Sequence, residues 1–224
     1  MAEPFDDLTS TPSSSLLPLT GEGVVIDIGT GDGLFVYECA RENPNKFYIG
    51  IDANARPLEK VSERIHRKPG KGGLPNVLFI QAAIEDLPSE LAGVADEVHV
   101  HFPWGSLLRD VATGDETALH SLRMICSPDA LLEVVIGVDF ERDRSEIERL
   151  GMGPLSIDYI DRHLIPRYEA SGFEILERGV LAQSEWPKLK TSWAKRLRGN
   201  QARTLIYIVA QAAADNRLAN PTSS

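Results

Sequence analysis

The sequence predicts a doubly wound α/β fold, in which a parallel sheet is covered by helices on both faces. Two observations predict it. Short apolar runs of strand length alternate with helical patterns along the chain, and the first of those runs ends in a cluster of glycines. At 224 residues, 42% hydrophobic and 25% charged, the chain is long enough to bury its core as a single domain.

Val24 to Ile28 (VVIDI) is the first strand, and Leu34 to Ala40 continues with helical apolar spacing. Phe47 to Ile51 (FYIGI) is the second strand. A helix follows from about Asn54 to His66, with its stop marked by Pro69 and Gly70. Val77 to Gln81, Glu97 to Phe102 and Ala130 to Ile136 read as the third, fourth and fifth strands, with a helix over Glu116 to Cys126 between the last two. Ile157 to Ser171 reads as a helix ended by Gly172, and Phe173 to Gly179 and Arg203 to Ala210 as a final pair of strands. The long connection between that pair, 181–202, holds two of the three tryptophans, and connections of that length in a compact domain are more often functional than idle. The polar segment 1–20 and the tail 212–224 flank the domain, and the tail reads as disordered.

The first residues lack the apolar core of a signal peptide, and no apolar run approaches a membrane span, so a cytoplasmic protein is expected. Cys39 and Cys126 are too few for a disulfide scaffold or a metal site and read as buried free thiols. His66, His99, His101, His120 and His163 show no ligand spacing, so no metal is expected. The net charge of −10 argues against a polyanionic partner until its distribution is considered. Residues 56–71 hold six Lys/Arg against two Glu, and residues 186–203 hold six against none, which leaves −20 on the remainder. Charge segregated in this way points to an anion-binding surface.

The loop after the first strand is Asp27-Ile28-Gly29-Thr30-Gly31-Asp32-Gly33. Glycines there let a ligand lie against bare backbone at the carboxyl edge of the sheet. The spacing is GxGxG rather than the GxGxxG of dinucleotide folds, and the carboxylate of Asp27 suits an amine-bearing ligand better than a pyrophosphate. Asp52, about 20 residues on at the end of the second strand, stands where an acid accepts hydrogen bonds from ribose hydroxyls. Together they indicate a nucleoside-binding site.

This pattern, DIGTGDG followed by GID, resembles the class I S-adenosylmethionine-dependent methyltransferases. The resemblance implies S-adenosylmethionine as cofactor and a Rossmann-like, seven-stranded sheet whose last strand is antiparallel. It also implies that Gln81 to Glu85 flank the cofactor's adenine, although Glu85 could equally cap the helix that follows.

Three further motifs narrow the resemblance: KPGKGGLPNV at 68–77, FPWGSLL at 102–108 and TSWAKRL at 191–197. Together they resemble the aminoglycoside-resistance 16S rRNA methyltransferases that modify N1 of adenine 1408 in the decoding site, over a span from about Val24 to Ala210. The resemblance implies that Trp104 and Trp193 sandwich the flipped adenine. It implies cofactor contacts at Asp27, Gly29, Asp52, Ala83, Glu85, Ser106 and Thr191, beside Gly31 of the glycine loop. It implies RNA contacts at Arg67, Lys68, Lys71, Arg196 and Arg203. The partner would be 16S rRNA in the assembled 30S subunit, met by a monomer without a membrane. The segment up to Thr20 shows little strand pattern where the family carries a β-hairpin, and Thr191 stands where Ser is expected.

Chemistry agrees with the resemblance. A stacked base cannot present N1 to a buried methyl donor, so it must be extruded and held between flat side chains. Two tryptophans at the cofactor mouth would serve. A tRNA guanine-N7 methyltransferase shares the fold and a Phe-Pro motif, but an acid usual after that motif is missing from FPWGSLL. A small-molecule methyltransferase would leave the basic run at 186–203 without a purpose, and a non-catalytic RNA module would bind cofactor without transferring a methyl group.

Overall fold

The computed structural model describes residues 22–139, 141–153, 155–181 and 205–214. Val24 to Ile28 forms strand β1, and all five of its residues are buried, as a strand covered on both faces requires. The chain then alternates: α1 (Leu34–Glu42), β2 (Phe47–Asp52), α2 (Glu59–Ile65), β3 (Val77–Gln81), β4 (Ala95–His101), α3 (Gly105–Thr113), α4 (Glu116–Ile125) and β5 (Cys126–Gly137). It continues through α5 (Arg144–Leu150), α6 (Ile157–Tyr159), a π-helical turn over Ile160–Leu164, α7 (Ile165–Ala170), β6 (Phe173–Leu181) and β7 (Leu205–Ala212).

The seven strands form one sheet in the order β3-β2-β1-β4-β5-β7-β6. β1 to β5 are mutually parallel, and β7 runs antiparallel to both of its neighbours. The reversed last strand is as expected. The order changes direction at β1, whose two neighbours are β2 and β4. In such sheets the loops leaving the carboxyl ends on either side of the switch part to form a crevice, and the glycine loop opens into it.

Alternation along the strands divides the core in two. Ile26, Val98, Leu132 and Ile208 face a cluster that includes Leu108, Val111, Leu119 and Leu122 from α3 and α4 and Tyr168 from α7. Val25, Tyr48 and Val77 face the other way, onto Val36, Tyr37 and Ala40 of α1 and Val61 and Ile65 of α2. Asp115 caps α4, its carboxylate accepting from Ala118 N–H at 3.0 Å. No helix among the described residues is long and apolar enough to cross a membrane.

Several boundaries differ from the sequence expectation, each for a physical reason. The helix expected over Ile157 to Ser171 widens into a π turn just before Pro166, which has no N–H to donate to the carbonyl one turn back. β5 begins at Cys126, directly after α4, and its irregular first residues include Asp129 at φ 62. Pro128 and Asp129 are taken up as an irregularity of the strand. The second helix is a 3₁₀ turn over Arg56–Leu58 followed by α2, and Cys39 is half-buried where Cys126 is fully buried. The segments 1–20 and 181–202 lie outside the described residues except for Leu181, as does the tail beyond residue 214.

Candidate active site

Because β1 lies between β2 and β4, the ends of all three strands meet at one edge of the sheet. Gly29 and Thr30 N–H groups donate to the Ile51 carbonyl at 2.8 and 3.0 Å, which ties the glycine loop to β2. Asp52 is held at both oxygens: Gly31 N–H donates to Oδ2 and Asn54 N–H to Oδ1, each at 2.8 Å. Each oxygen keeps lone-pair capacity, so the pinned carboxylate can still accept hydroxyl donors.

The glycines of the loop divide the work. Gly31 has φ 61, and a Cβ there would meet nothing within 4 Å, so its surface is open. A Cβ on Gly29 would stand 2.5 Å from Leu107 Cδ2, so this glycine lets α3 dock on the loop. Gly33 makes room for Phe79 and Val61 in the same way. Of the three, only Gly31 has open space where a Cβ would stand, although all three spell the same motif in sequence.

Asp27 is 4% exposed, deeper than a residue at a cleft mouth. Burial pushes its carboxyl up to about 6, opposed by the charge of His101 and reinforced by Asp52. A buried carboxylate beside an open glycine backbone suits a cationic amine, which would supply the charge the site lacks. The loop after β3 is tied to the same edge through Ala82 N–H, which donates to the Asp52 carbonyl at 3.1 Å. Ala83 precedes a 3₁₀ turn over Ile84–Asp86, and Glu85 is exposed inside that turn rather than at its cap.

Phe102 leaves β4 at φ 51, a rare conformation for a bulky residue, of a kind that costs roughly 1–3 kcal/mol. Its N–H donates to Val135 O at 2.8 Å, and its ring stacks closely over Gly137, whose Cβ would meet it at 3.0 Å. The turn throws Trp104 outward at the start of α3, where it is 46% exposed. Trp104 is therefore not a core residue. Ser106 is exposed beside it, and Leu107, one residue further, touches the glycine loop.

Arg67, Lys68 and Lys71 are exposed on the loop that returns α2 to the amino edge of the sheet, one helix length from the cleft rather than at it. That loop is tightly closed. Gly73 N–H donates to Lys68 O at 3.2 Å, and a Cβ on Gly73 would fall 1.7 Å from the Arg67 carbonyl oxygen. A groove of about 720 Å³ runs from the glycine loop along α2, lined by Asp32, Arg56, Glu59, Lys60 and Arg64. Trp193, Thr191, Arg196 and Arg203 lie outside the described residues.

One group at this edge was not anticipated in the sequence. His101 is buried, with Nε2 2.6 Å from Glu133 Oε1. It stacks on His99 with ring centroids 4.9 Å apart, and Phe35 of α1 meets both imidazoles. His101 and Glu133 are separated by 32 residues, and only the pairing of β4 with β5 brings them together. The alternation HVH in β4 was the available signal, since polar residues on a buried strand face need partners.

Comparison with known proteins places the chain in a family. A family model described as "NpmA: 16S rRNA (adenine(1408)-N(1))-methyltransferase" matches residues 16–212. A protein of that name from Streptoalloteichus tenebrarius is 37% identical over 183 residues, 81% of this chain and 83% of its own. The crystal structure of the aminoglycoside resistance methyltransferase NpmB1 superposes with a TM-score of 0.76 at 47% identity, covering 87% of this chain and 89% of that one. A tryptophan-to-alanine variant of the Catenulisporales acidiphilia enzyme, solved with its cosubstrate S-adenosylmethionine, superposes with a TM-score of 0.80 at 32% identity, covering 91% and 90%. With the family model spanning most of its length, this chain belongs to the 16S rRNA (adenine(1408)-N(1))-methyltransferase family.

Proposed function

We propose that the protein methylates N1 of adenine 1408 in 16S rRNA with S-adenosylmethionine as donor, and thereby confers aminoglycoside resistance. The observation that carries this reading is Trp104, an exposed indole held at the rim of a nucleoside cleft by the strained turn at Phe102 and the docking of Leu107 on Gly29.

The residues at the cleft fit the donor. Asp27 would hold its ammonium group, Asp52 its ribose hydroxyls, Gly29 and Gly31 would admit its backbone-facing side, and Ala83, Glu85, Ser106 and Thr191 would complete the pocket. When bound, S-adenosylmethionine supplies an activated methyl group on a sulfonium. N1 of neutral adenine carries an in-plane lone pair and no proton, so it could accept that methyl group directly. No general base is required. Trp104, with Trp193, would hold the extruded base by stacking, worth on the order of 1–3 kcal/mol per face. Catalysis is then chiefly proximity and orientation.

Arg67, Lys68, Lys71, Arg196 and Arg203 would contact rRNA phosphates, and the substrate would be the assembled 30S subunit in the cytoplasm. The protein would act as a monomer. Radiolabelled methyl transfer to intact 30S subunits, naked 16S rRNA and bulk tRNA tests the reading. Label should enter the 30S subunits; label in tRNA alone, or in no RNA, would overturn it.

A further inference from the structure

The register of the sheet places three ionisable side chains of adjacent strands on one face behind the glycine loop. Asp27 pairs with His99, and His99 with Glu133; His101 lies on the same face, one step nearer the carboxyl edge. We propose that His101, held by Glu133, is a positioning residue that keeps the buried Asp27 carboxylate ionised and so ready for the amino group of the methyl donor. This rests on the reading of Asp27 as the carboxylate that receives that group.

The geometry restricts the role to His101. Its side chain is 4% exposed and its Nε2 lies 2.6 Å from Glu133 Oε1, a bond that fixes the ring and favours a proton on that nitrogen. Its Nδ1 is buried with no hydrogen-bond partner among the described residues, so the ring is not satisfied as ordinary core filling would be. His99 shares the buried, unpartnered Nδ1, but burial and the neighbouring His101 push it down to about 3, which leaves a neutral ring for His101 to stack on. Lys46 is paired with Glu97 at 2.5 Å, and from β2 Asp52 works against ionisation of Asp27 rather than for it. Phe35 closes the cluster from α1 without charge. Among the groups that act on Asp27, only His101 opposes burial by charge. Glu133, whose carboxyl is held low by the His101 hydrogen bond, is the anion that anchors it. Glu133 thus anchors an imidazole whose charge acts on Asp27 from the neighbouring strand, and the donor's ammonium would complete the charge balance on the Asp27 side.

Binding of S-adenosylhomocysteine, which keeps the amino group, is measured by calorimetry between pH 5 and 8.5 on the full chain and on the variants His101→Asn, Glu133→Gln and Asp27→Asn. Wild-type affinity should fall as pH drops through about 6. His101→Asn should move that midpoint up by roughly one pH unit, a loss of about fivefold at pH 6 that approaches about tenfold at pH 5, while affinity at pH 8.5 stays within about threefold. Glu133→Gln, which leaves the imidazole in place and changes a half-exposed side chain, should move the midpoint the same way by less. A midpoint unmoved in both variants, or an affinity lowered equally at every pH, overturns the proposal. Should His101→Asn not fold, the Glu133→Gln midpoint decides alone. Asp27→Asn separates the two levels of the argument: if it binds like the wild type, the assignment of Asp27 fails; if it loses binding while the His101 and Glu133 midpoints do not move, only the present inference fails.

Discussion

Burial raises the Asp27 carboxyl to about 6, so at neutral pH the folded chain holds an ionised carboxylate that water would stabilise better. The ordinary value is 3.8, and a shift of about two units corresponds to about 3 kcal/mol of lost stability as an upper order of magnitude. The sign follows from the direction: the folded pKa is raised, so the cost is complete above pH 6 and vanishes below about pH 4. Asp27→Asn should therefore be more stable than the wild type at pH 8 by up to about 3 kcal/mol and equal to it at pH 4, while losing cofactor affinity. Urea unfolding at the two pH values checks this, and equal stabilities at pH 8 would count against it. Trp104 makes the complementary case. Because the indole is exposed, Trp104→Ala should cost less than about 1 kcal/mol of stability, far from the 3–5 kcal/mol of a core tryptophan. Methyl transfer should nevertheless slow by roughly tenfold to a hundredfold, and Trp104→Phe should recover more than Trp104→Leu. Melting temperature and rate measured on the same protein settle it, and a large loss of stability with normal specific activity would place Trp104 in the core after all.

Among the elements, the strands were the most legible in the sequence. β1 and β2 are short, mostly apolar runs buried on both sides, β3 is an apolar run at the half-buried edge of the sheet, and the bounds of all three match the expectation to within a residue. Legibility fails where the deciding partner is distant in sequence. The start of β5 depends on pairing with Ala95, and the His101–Glu133 pair on a register between strands 32 residues apart. The glycine motif was legible as a ligand loop, but its three glycines look alike in sequence and only the docked Leu107, Phe79 and Val61 distinguish them. The loop 68–73 carries an element-level prediction. Gly73→Ala must displace the backbone at Arg67 and with it Arg67, Lys68 and Lys71, at a cost of roughly 1–3 kcal/mol. Ribosome affinity should fall while cofactor affinity holds; an unchanged ribosome affinity would remove this loop from the docking surface.

Across the whole molecule, a net charge of −10 coexists with two basic stretches, one of which, residues 56–71, follows α2 and ends in the exposed loop that carries Lys68 and Lys71. An acidic body with a basic track orients the protein on a polyanion rather than merely attracting it. If about four of these side chains neutralise phosphates, the log–log dependence of ribosome affinity on salt should have a slope near −3 or steeper, and Lys68→Glu with Lys71→Glu should flatten it. An unchanged slope would reduce the track to a solvated face. The central claim, that the cleft, the exposed indole and the basic track serve one reaction at one nucleotide, is tested most directly by primer extension on 16S rRNA from small subunits treated with the protein and S-adenosylmethionine. N1 methylation blocks Watson–Crick pairing, so reverse transcriptase should stop immediately before adenine 1408, only when both are present, and the stop should weaken with Trp104→Ala. Full-length extension through adenine 1408 by subunits that have taken up methyl groups, or a donor-dependent stop at another base, would contradict the account.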